Sequence, residues 1–460
     1  MGHTHITITE ERFEFTAKAR RQIIYLLLAG VVLLALGLVI SIFGGEAHHG
    51  SEHHGLSAPG SSQLVASLDT VAPAEGHGEG GAHHEEKPTW LKRLYTTLWM
   101  NNIYFIGLGI IGLFFVSIQY AAQAGWSAGI KRIPLAMGQW LPVAFVSTLV
   151  LWFITHHDVF HWTHSYLYDK NNPETFDEII AGKAPFFFWP GEAGGFPVFY
   201  MVRMVLFFGL WIWFFYTIRK NMLAEDQIGG TSFWYKNRSL SAWFLVFFAV
   251  SSSVAAWDWV MSIDTHWFST MFGWYVFASW WVTGLAFITL IVVYLKDAGY
   301  LKIVNANHLH DLGKFVFAFS IFWTYIWFGQ FLLIWYAHIP EETVYFVERM
   351  STPPYSWIFF ANLILNFVLP FLLLMTRDAK RQMSMLKLVA PIVIVGHWFD
   401  FYNMVTPGVM KTDGGLGFIE IGTAFIFLAA FLWVTLSSLS KMPLFGKNHP
   451  MLEESLHHHI

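Results

Sequence analysis

The chain has 460 residues, of which 55% are hydrophobic and only 13% are charged. Soluble proteins carry about a quarter charged residues, because their surface must be polar, whereas a lipid bilayer removes that requirement. The net charge of −4 gives no indication of nucleic-acid binding, and the absence of cysteine excludes Cys-ligated iron–sulfur clusters, covalently attached c-type haem and disulfides within this chain.

Ten apolar stretches follow one another along the chain, each of roughly 18–25 residues, which is enough to cross a hydrocarbon core of about 30 Å. We therefore predict an all-α integral membrane protein with ten transmembrane helices. A basic region precedes the first stretch, but this stretch is too long for a signal peptide, and we interpret it as an uncleaved anchor. The predicted helices cover residues 22–43, 101–123, 139–157, 197–217, 241–263, 271–295, 314–337, 356–376, 387–405 and 418–437.

The basic residues predict the orientation of these helices. With the N-terminus in the cytoplasm, the loops and termini on the inner side hold 19 Lys and Arg residues, and the loops on the outer side hold seven. Cytoplasmic loops carry an excess of Lys and Arg. The sequence therefore predicts a multi-pass protein of the bacterial inner membrane with both termini in the cytoplasm.

The outer loop between the first two helices has a composition of its own. Residues 44–87 are rich in Gly, Ala, Ser, Glu and His. Such a tract is typical of a flexible, disordered loop, and metal capture by its histidines is the alternative. The histidines are His48, His49, His53, His54, His77, His83 and His84.

Helices two to five and helices six to nine have similar sequence features at matching positions. Asp258 lies between two Trp at the end of the fifth helix, and Asp400 lies between two Phe near the end of the ninth. Helices four apart run parallel, so we predict two related four-helix bundles with helices 1 and 10 flanking them. The predicted units are 1–43 (N-terminus and first helix), 44–97 (outer loop), 98–264 and 265–405 (the two bundles), and 406–460 (last helix and cytoplasmic tail).

Ionisable residues gather in the outer half of the predicted helices, whereas the inner half is nearly free of charge. Ionisable groups inside a membrane are costly and commonly mark functional sites, so we predict a hydrated vestibule that opens to the periplasm. The alternative is that these groups are interfacial and only solvated. The vestibule candidates are His156, His157, Asp158, His338, Glu341, Glu342 and Glu420, and the deeper candidates are Arg203, Asp258, Asp264, His397 and Asp400.

The histidines raise the question of a bound metal. His157, His161 and His164 are spaced to share one helical face. A b-type haem, however, needs two axial histidines deep in facing helices, and the predicted helices offer none there. Residues 338–341 superficially resemble the copper-binding helix of haem–copper oxidases, but the further histidines of that family are missing. We therefore predict that this chain binds no metal cofactor.

Three motifs resemble the ActF membrane subunits of bacterial alternative complex III, which are related to the membrane subunits NrfD and polysulfide reductase. They are DWVMSID at 258–264, continuing through HWFST at 266–270 to FGWY at 272–275, then WYAHIPEE at 335–342 and HWFDFYNMVTP at 397–407. The resemblance extends over about residues 95–440, with the motifs in the expected order. The His-rich loop lies outside it.

The resemblance implies a fold of two four-helix bundles with flanking helices. It implies a subunit of a respiratory quinol:cytochrome c, or quinol:electron acceptor, oxidoreductase. This subunit would be either non-catalytic or associated with the quinone. Menaquinol or another quinone would be used by the complex, with haem c and iron–sulfur clusters in partner subunits. The implied partners are a multihaem cytochrome c, an iron–sulfur protein, a sister NrfD-like subunit and lipids.

The resemblance also implies a scaffold with a candidate proton route. The matching positions are Asp258, Asp264, His397 and Asp400, with Arg203 as an ion-pair partner. The residues themselves leave two roles open for Asp258 and Asp400. Each could exchange protons, since desolvation among rings favours the neutral acid, or each could pair with Arg203 or cap backbone groups.

Two other functions remain open. A self-contained ion or solute transporter would tend to place charges and broken helices near the midplane, whereas the charges here are predicted on the outer side. The second is a purely structural membrane anchor of the complex, for which the same sequence features are expected as for the oxidoreductase subunit.

Overall fold

The computed structural model describes residues 10–44 and 88–459, and the regular secondary structure of these residues is helical, without β-strands. The prediction of an all-helical protein is therefore confirmed for these residues. The helices are α1 (Ala17–Gly44), α2 (Thr89–Ala121), α3 (Arg132–Met137), α4 (Leu141–Val159), α5 (Glu178–Phe188), α6 (Val198–Ile228), α7 (Ser232–Trp259), α8 (Phe272–Asp297), α9 (Ala306–Ala337), α10 (Pro340–Ser351), α11 (Pro353–Leu363), α12 (Leu369–Leu373), α13 (Arg377–Arg381), α14 (Met383–Met410), α15 (Phe418–Leu439) and α16 (Leu452–Leu456).

Ten helical segments of the described chain are long and apolar enough to cross a membrane, as predicted. They are α1, α2, α3 with α4, α6, α7, α8, α9, α11 with α12, α14 and α15. Each of the ten predicted stretches falls within or largely within one of them. The predicted His-rich loop falls almost entirely on residues 45–87, which lie outside the described residues.

Several helices are longer than their apolar stretches. The second begins at Thr89, well before the predicted start near residue 101. The added turns carry polar side chains that have partners inside the protein: Arg93 Nε donates to Glu420 Oε1 at 2.6 Å, and Thr97 Oγ1 donates to the carbonyl oxygen of Arg93 at 2.8 Å. Apolarity alone misses such positions, because the polar groups are satisfied inside the protein.

Among the short helices outside the ten spans, α5 and α10 contribute to the sites described below, and neither was predicted. α5 is capped by Asp177, whose carboxylate accepts a hydrogen bond from the amide of Ile180 at 2.9 Å. α10 begins with Pro340 and carries Glu341 and Glu342 in its first turn, a composition that suits a helix N-terminus. These helices supply side chains and carbonyls to the sites described below.

α2 lies at the centre of the helix array, in contact with α4, α7, α8, α14 and α15. α6 packs on α4 and α7, while α9 packs on α8. α11 packs on α14, and α14 on α8. Helix α2 is buried along most of its length, and its aromatic and aliphatic residues form the middle of the hydrophobic core.

α1 packs against α15 through small residues. A Cβ atom at Gly30 would lie 2.8 Å from the carbonyl oxygen of Gly422, and one at Gly37 would lie 2.7 Å from the amide nitrogen of Ile419. Close backbone approach at small residues is a common basis of helix association in membranes. Most other side chains of α1 are exposed and apolar, as expected of a helix that faces lipid.

The described ends of the chain lie on one face of the array. Arg12 and Pro443 form an isolated antiparallel bridge, and the amide of Leu444 donates to the carbonyl of Glu11 at 2.8 Å. We call this side the terminal face. The opposite side, where α4 ends and α6 and α8 begin, is called the cleft face.

The C-terminal segment, residues 440–459, binds along the terminal face. Ser455 Oγ lies 2.9 Å from His308 Nε2, and His458 Nε2 lies 2.6 Å from Asp311. The backbone oxygen of His458 also accepts hydrogen bonds from the side chains of Asn305 and Asn307, each at 3.0 Å. The segment thereby joins α9 to the loop that follows α2.

Charged residues are also buried at the terminal face. Lys131 is 1% exposed and its Nζ lies 3.4 Å from His449 Nε2, while Arg132 forms an ion pair with Asp226 at 2.6 Å. Lys131 and Arg132 lie between the predicted stretches 101–123 and 139–157. The C-terminal segment covers them, so they are buried.

Acid should loosen the C-terminal segment through His449. Burial, followed by the nearby charges of Lys131 and Arg132, lowers the pKa of His449 to about 2, and its Nδ1 accepts a hydrogen bond from the amide of Met451 at 3.2 Å. The undocked segment takes up a proton near pH 6.5. The free energy that favours the docked segment is therefore greatest above pH 6.5. It decreases below that pH, by about 2 kcal/mol at pH 5.

Hydrogen exchange of residues 445–459, corrected for the intrinsic effect of pH, checks this expectation. Protection should fall between pH 7.5 and pH 5 in the wild-type protein. The fall should be smaller in His449→Gln, which removes the titrating group. An equal fall in both proteins would assign the effect to other groups.

Candidate functional site

A cleft of about 1230 Å³ opens on the cleft face of the described chain. It lies between the start of α2, the end of α4, the segment after α7, α10 and the end of α14. Its lining includes many ionisable side chains of both signs. They are Lys92, His157, Asp158, His161, His164, Asp264, His266, Glu341, Glu348, Lys411 and Asp413.

The structure places four of the predicted vestibule residues apart from this cleft. His156 stacks on Trp152 with ring centroids 4.6 Å apart, and His338 is exposed in a left-handed conformation after α9. Glu342 is beside the cleft, where its backbone carbonyl accepts a hydrogen bond from Trp267 Nε1 at 3.1 Å. His157, Asp158 and Glu341 do line the cleft.

Glu420, the remaining vestibule candidate, is buried in an ion pair. Its two carboxylate oxygens accept hydrogen bonds from Nε and Nη2 of Arg93 at 2.6 and 2.7 Å. It also accepts from the amide of Gly417 at 2.8 Å, so that it caps α15. The sequence placed Glu420 by depth alone. In the structure, Glu420 joins α2 to the N-terminus of α15.

Arg203 and Asp258 form a buried ion pair between α6 and α7. Nε and Nη2 of Arg203 each donate to one oxygen of Asp258 at 2.8 Å, a bidentate geometry. Nη1 donates to the carbonyl of Phe186 in α5 at 2.7 Å, and the guanidinium lies over the rings of Phe186 and Phe199. Of the two roles left open for Asp258, pairing with Arg203 is the one this geometry supports.

Asp264 pairs with Arg349, which lies between the predicted stretches 314–337 and 356–376. Arg349 is 2% exposed and its Nη2 lies 2.8 Å from Asp264. Its Nε donates to the backbone carbonyl of Asn403 at 2.7 Å, and its guanidinium lies 3.4 Å from the ring centre of Tyr345. Arg349 therefore ties α10 to α14 at the floor of the cleft.

Asp400 is different, because no Lys or Arg of the described chain pairs with it. The side chain is fully buried, and four neutral donors from three other helical segments bind it. The donors are Tyr275 Oη, Ser279 Oγ at 2.7 Å, Trp323 Nε1 at 2.9 Å and Asn362 Nδ2 at 2.8 Å. These four donors bind both oxygens of the Asp400 carboxylate by hydrogen bonds, without a cation.

His397 is the nearest ionisable partner of Asp400. Its Nδ1 lies 3.7 Å from Asp400 Oδ2 and 2.9 Å from Ser279 Oγ, so that Ser279 bridges the two groups. The other ring nitrogen, Nε2, is buried and has no partner in the described protein. Ser279 and Tyr275 carry hydroxyls that can both donate and accept. The cluster can therefore rearrange when a proton arrives or leaves.

A π-helical turn brings another part of the cluster into place. Residues Ile364–Val368 form this turn between α11 and α12, and such turns are frequent at functional sites. Asn366, within it, donates to Asn362, which in turn donates to Asp400. A Cβ at Gly396 would lie 2.2 Å from Asn366 Oδ1, so only glycine allows this approach.

Further buried polar residues follow this cluster along α14 towards the cleft, and we call the set the polar stripe. His397, Asp400, Asn403 and Thr406 follow one another every three residues and are all buried, and residues at this spacing lie on neighbouring positions of a helix surface. The side-chain polar atoms of Asn403 and Thr406 have no partner in the described protein. Buried groups of this kind are commonly bonded to ordered water.

The stripe reaches the cleft through the residues that follow it. Gly408, Val409 and Met410 line the cleft, and a Cβ at Gly408 would lie 2.8 Å from Asp264. The arrangement therefore places buried polar groups without protein partners between Asp400 and the cleft-lining residues of α14. The repeated spacing of three was visible in the sequence and would have identified Asn403 and Thr406.

No group of three or more potential ligands in the described residues has a geometry that could hold a metal ion. The histidines near the cleft instead contact one another through their rings, with centroids 5.3 Å apart for His157 and His164. His266 Nε2 lies 2.5 Å from Asp177. The helical spacing of His157, His161 and His164 is therefore lost where α4 ends at Val159.

Comparison of the sequence with protein-family models gives no match, and comparison with curated proteins gives none either.

Proposed function

We propose that this chain is a membrane subunit of a quinol:cytochrome c, or quinol:electron acceptor, oxidoreductase of the bacterial inner membrane, similar to the ActF subunits of alternative complex III. The three sequence motifs support this proposal. Asp264 of the first motif and Glu341 of the second line the cleft. The third motif contacts the first, since Tyr275 donates to Asp400. In addition, Arg349 binds both Asp264 and the backbone of Asn403.

The helix contacts agree with two related four-helix bundles, which form part of the proposal. α2, α4, α6 and α7 would make the first, and α8, α9, α11 with α12, and α14 would make the second. α1 and α15 would then be the flanking helices. The terminal face would be cytoplasmic and the cleft face periplasmic, because the basic residues are concentrated on the former.

The observation that carries the functional part of the proposal is Asp400. A buried carboxyl group that has neutral donors and no cationic partner can change its protonation without breaking an ion pair, unlike Asp258 or Asp264. Oxidation of a quinol releases protons, and the polar stripe would take them from the Asp400–His397 cluster to the periplasmic cleft. The chain would hold no redox carrier, and electrons would pass through haem c and iron–sulfur clusters in partner subunits.

Purification of the tagged chain from its native membrane in mild detergent tests the proposal. We expect a multihaem cytochrome c, an iron–sulfur protein and a sister NrfD-like subunit to co-purify with quinol oxidation activity. The chain separated from these partners should show no Soret band and no stoichiometric iron or copper. A lone oligomer without redox partners would contradict the proposal and favour a self-contained transporter.

The topology can be tested cleanly because the sequence contains no cysteine. Asn172→Cys introduces a thiol at an exposed site on the cleft face, and Lys441→Cys introduces one on the terminal face. A membrane-impermeant thiol reagent should label the first variant in spheroplasts and the second only after lysis. The reverse pattern would overturn the orientation, and labelling of both in intact spheroplasts would contradict the count of ten spans.

A further inference from the structure

A second cavity of the described chain lies at the terminal face, far from the Asp400 cluster. It is a shallow groove of about 360 Å³ along the last turns of α6. Its lining residues lie on one side of that helix, at the spacing of successive turns. They are Tyr216, Arg219, Lys220, Leu223, Ala224 and Gln227.

The polar part of this groove holds two cations that lack carboxylate partners. Neither Arg219 nor Lys220 takes part in an ion pair within the described protein. Arg219 makes one hydrogen bond, from Nη1 to Gln139 Oε1 at 3.3 Å, and its Nε is buried without a partner. Nearby, Gln139 Nε2 donates to Tyr216 Oη at 3.0 Å. The remaining guanidinium and ammonium donors suit a phosphate group.

The groove continues into an apolar surface along the membrane-spanning helices. α4 contacts α6, and Val143, Val146 and Trp213 are exposed by 41%, 60% and 53% on these two helices. Leu223 and Ala224 line the groove itself. A ligand that fits both parts has an anionic head at the membrane surface and an apolar body that lies along the helices.

We propose that this groove binds the headgroup of an anionic phospholipid, with its acyl chains along α4 and α6. Basic pockets at the cytoplasmic ends of transmembrane helices commonly bind such headgroups. Arg219 and Lys220 contact the phosphate, and Tyr216 and Gln227 offer hydrogen bonds to the polar headgroup. The site requires that the chain spans a membrane and is independent of the proposed respiratory role.

Native mass spectrometry of the purified protein, titrated with phosphatidylglycerol or phosphatidylcholine, tests this site. Each basic residue near the surface contributes about fivefold to the affinity for an anionic lipid, so Arg219→Gln with Lys220→Gln should weaken phosphatidylglycerol binding by roughly twenty-five-fold. The single variant Lys220→Gln, at an exposed position, should weaken it roughly fivefold without affecting folding.

The control is Lys236→Gln with Arg238→Gln, which removes two charges near the same face from α7, outside the groove. It should leave phosphatidylglycerol binding within about twofold of wild type. An equal loss in the control would show attraction to a basic face and overturn the specific site. Displacement of the lipid by millimolar inorganic phosphate would identify a phosphate site instead. Equal binding of both lipids to the wild-type protein would also overturn the proposal.

Discussion

Asp258→Asn should destabilise the protein by about 3–5 kcal/mol, because it leaves the Arg203 guanidinium buried without its counter-ion. Both oxygens of Asp258 bind Arg203 at 2.8 Å, and the two side chains are 1% and 8% exposed. The Phe186 carbonyl and two aromatic rings remain near the guanidinium. They are neutral and cannot replace the carboxylate. We expect a lower yield of folded protein and a lower Tm in detergent.

A double-mutant cycle separates the ion pair from other effects. Arg203→Met should be destabilising to a similar degree, since it leaves the carboxylate unpaired. The double variant removes both charges and should lie closer to wild type than either single variant does. Additive losses, or a Tm within about 1 °C of wild type for Asp258→Asn, would mean that the pair contributes little.

Asp400→Asn should have the largest functional effect and a smaller structural one. An amide at this position keeps one acceptor oxygen, but its NH2 group must face the donor of either Trp323 or Asn362. The loss of one buried hydrogen bond costs about 1–3 kcal/mol, and no counter-ion is left unpaired. The complex should therefore still assemble, with partner subunits in normal ratio.

The same substitution removes the only carboxyl group of the polar stripe on α14. If protons from quinol oxidation pass through it, turnover should fall by roughly tenfold or more in the assembled complex, because proton transfer by a positioned group is typically worth at least that. The dependence of the rate on pH should also change. If Asp400→Asn instead prevents assembly of the complex, Asp400 has a structural role.

The membrane spans were predictable because run length and apolarity determine which segments can cross a bilayer. The ends of the helices were less predictable from the sequence. α2 begins earlier than predicted, because the polar residues of its first turns have partners inside the protein: Arg93 binds Glu420 of α15, and the Thr97 hydroxyl donates to a backbone carbonyl. Short helices such as α10 have no apolar run and gave no signal of this kind.

The candidate site was predictable only in part. Asp400 and His397 stand out in the sequence because they are ionisable within an apolar stretch. The donors to Asp400 come from α8, α9 and α11, and pairing across helices cannot be derived without their relative rotation. Arg349 lies between two predicted stretches and gave no such signal, whereas the structure buries it in α10, where it pairs with Asp264.

Proton release during quinol oxidation by the purified complex is the measurement that bears most directly on the proposed role of Asp400. With the purified complex reconstituted in sealed vesicles, the rate of quinol oxidation and the protons released on the cleft side should be followed between about pH 5.5 and 8.5. The proteins compared are wild type, Asp400→Asn and the control Asp413→Asn, which removes an exposed carboxyl group beside the cleft. We expect slowed, altered release in Asp400→Asn and wild-type behaviour in the control. Normal rate, pH dependence and proton release in an assembled Asp400→Asn complex would contradict a proton route through Asp400.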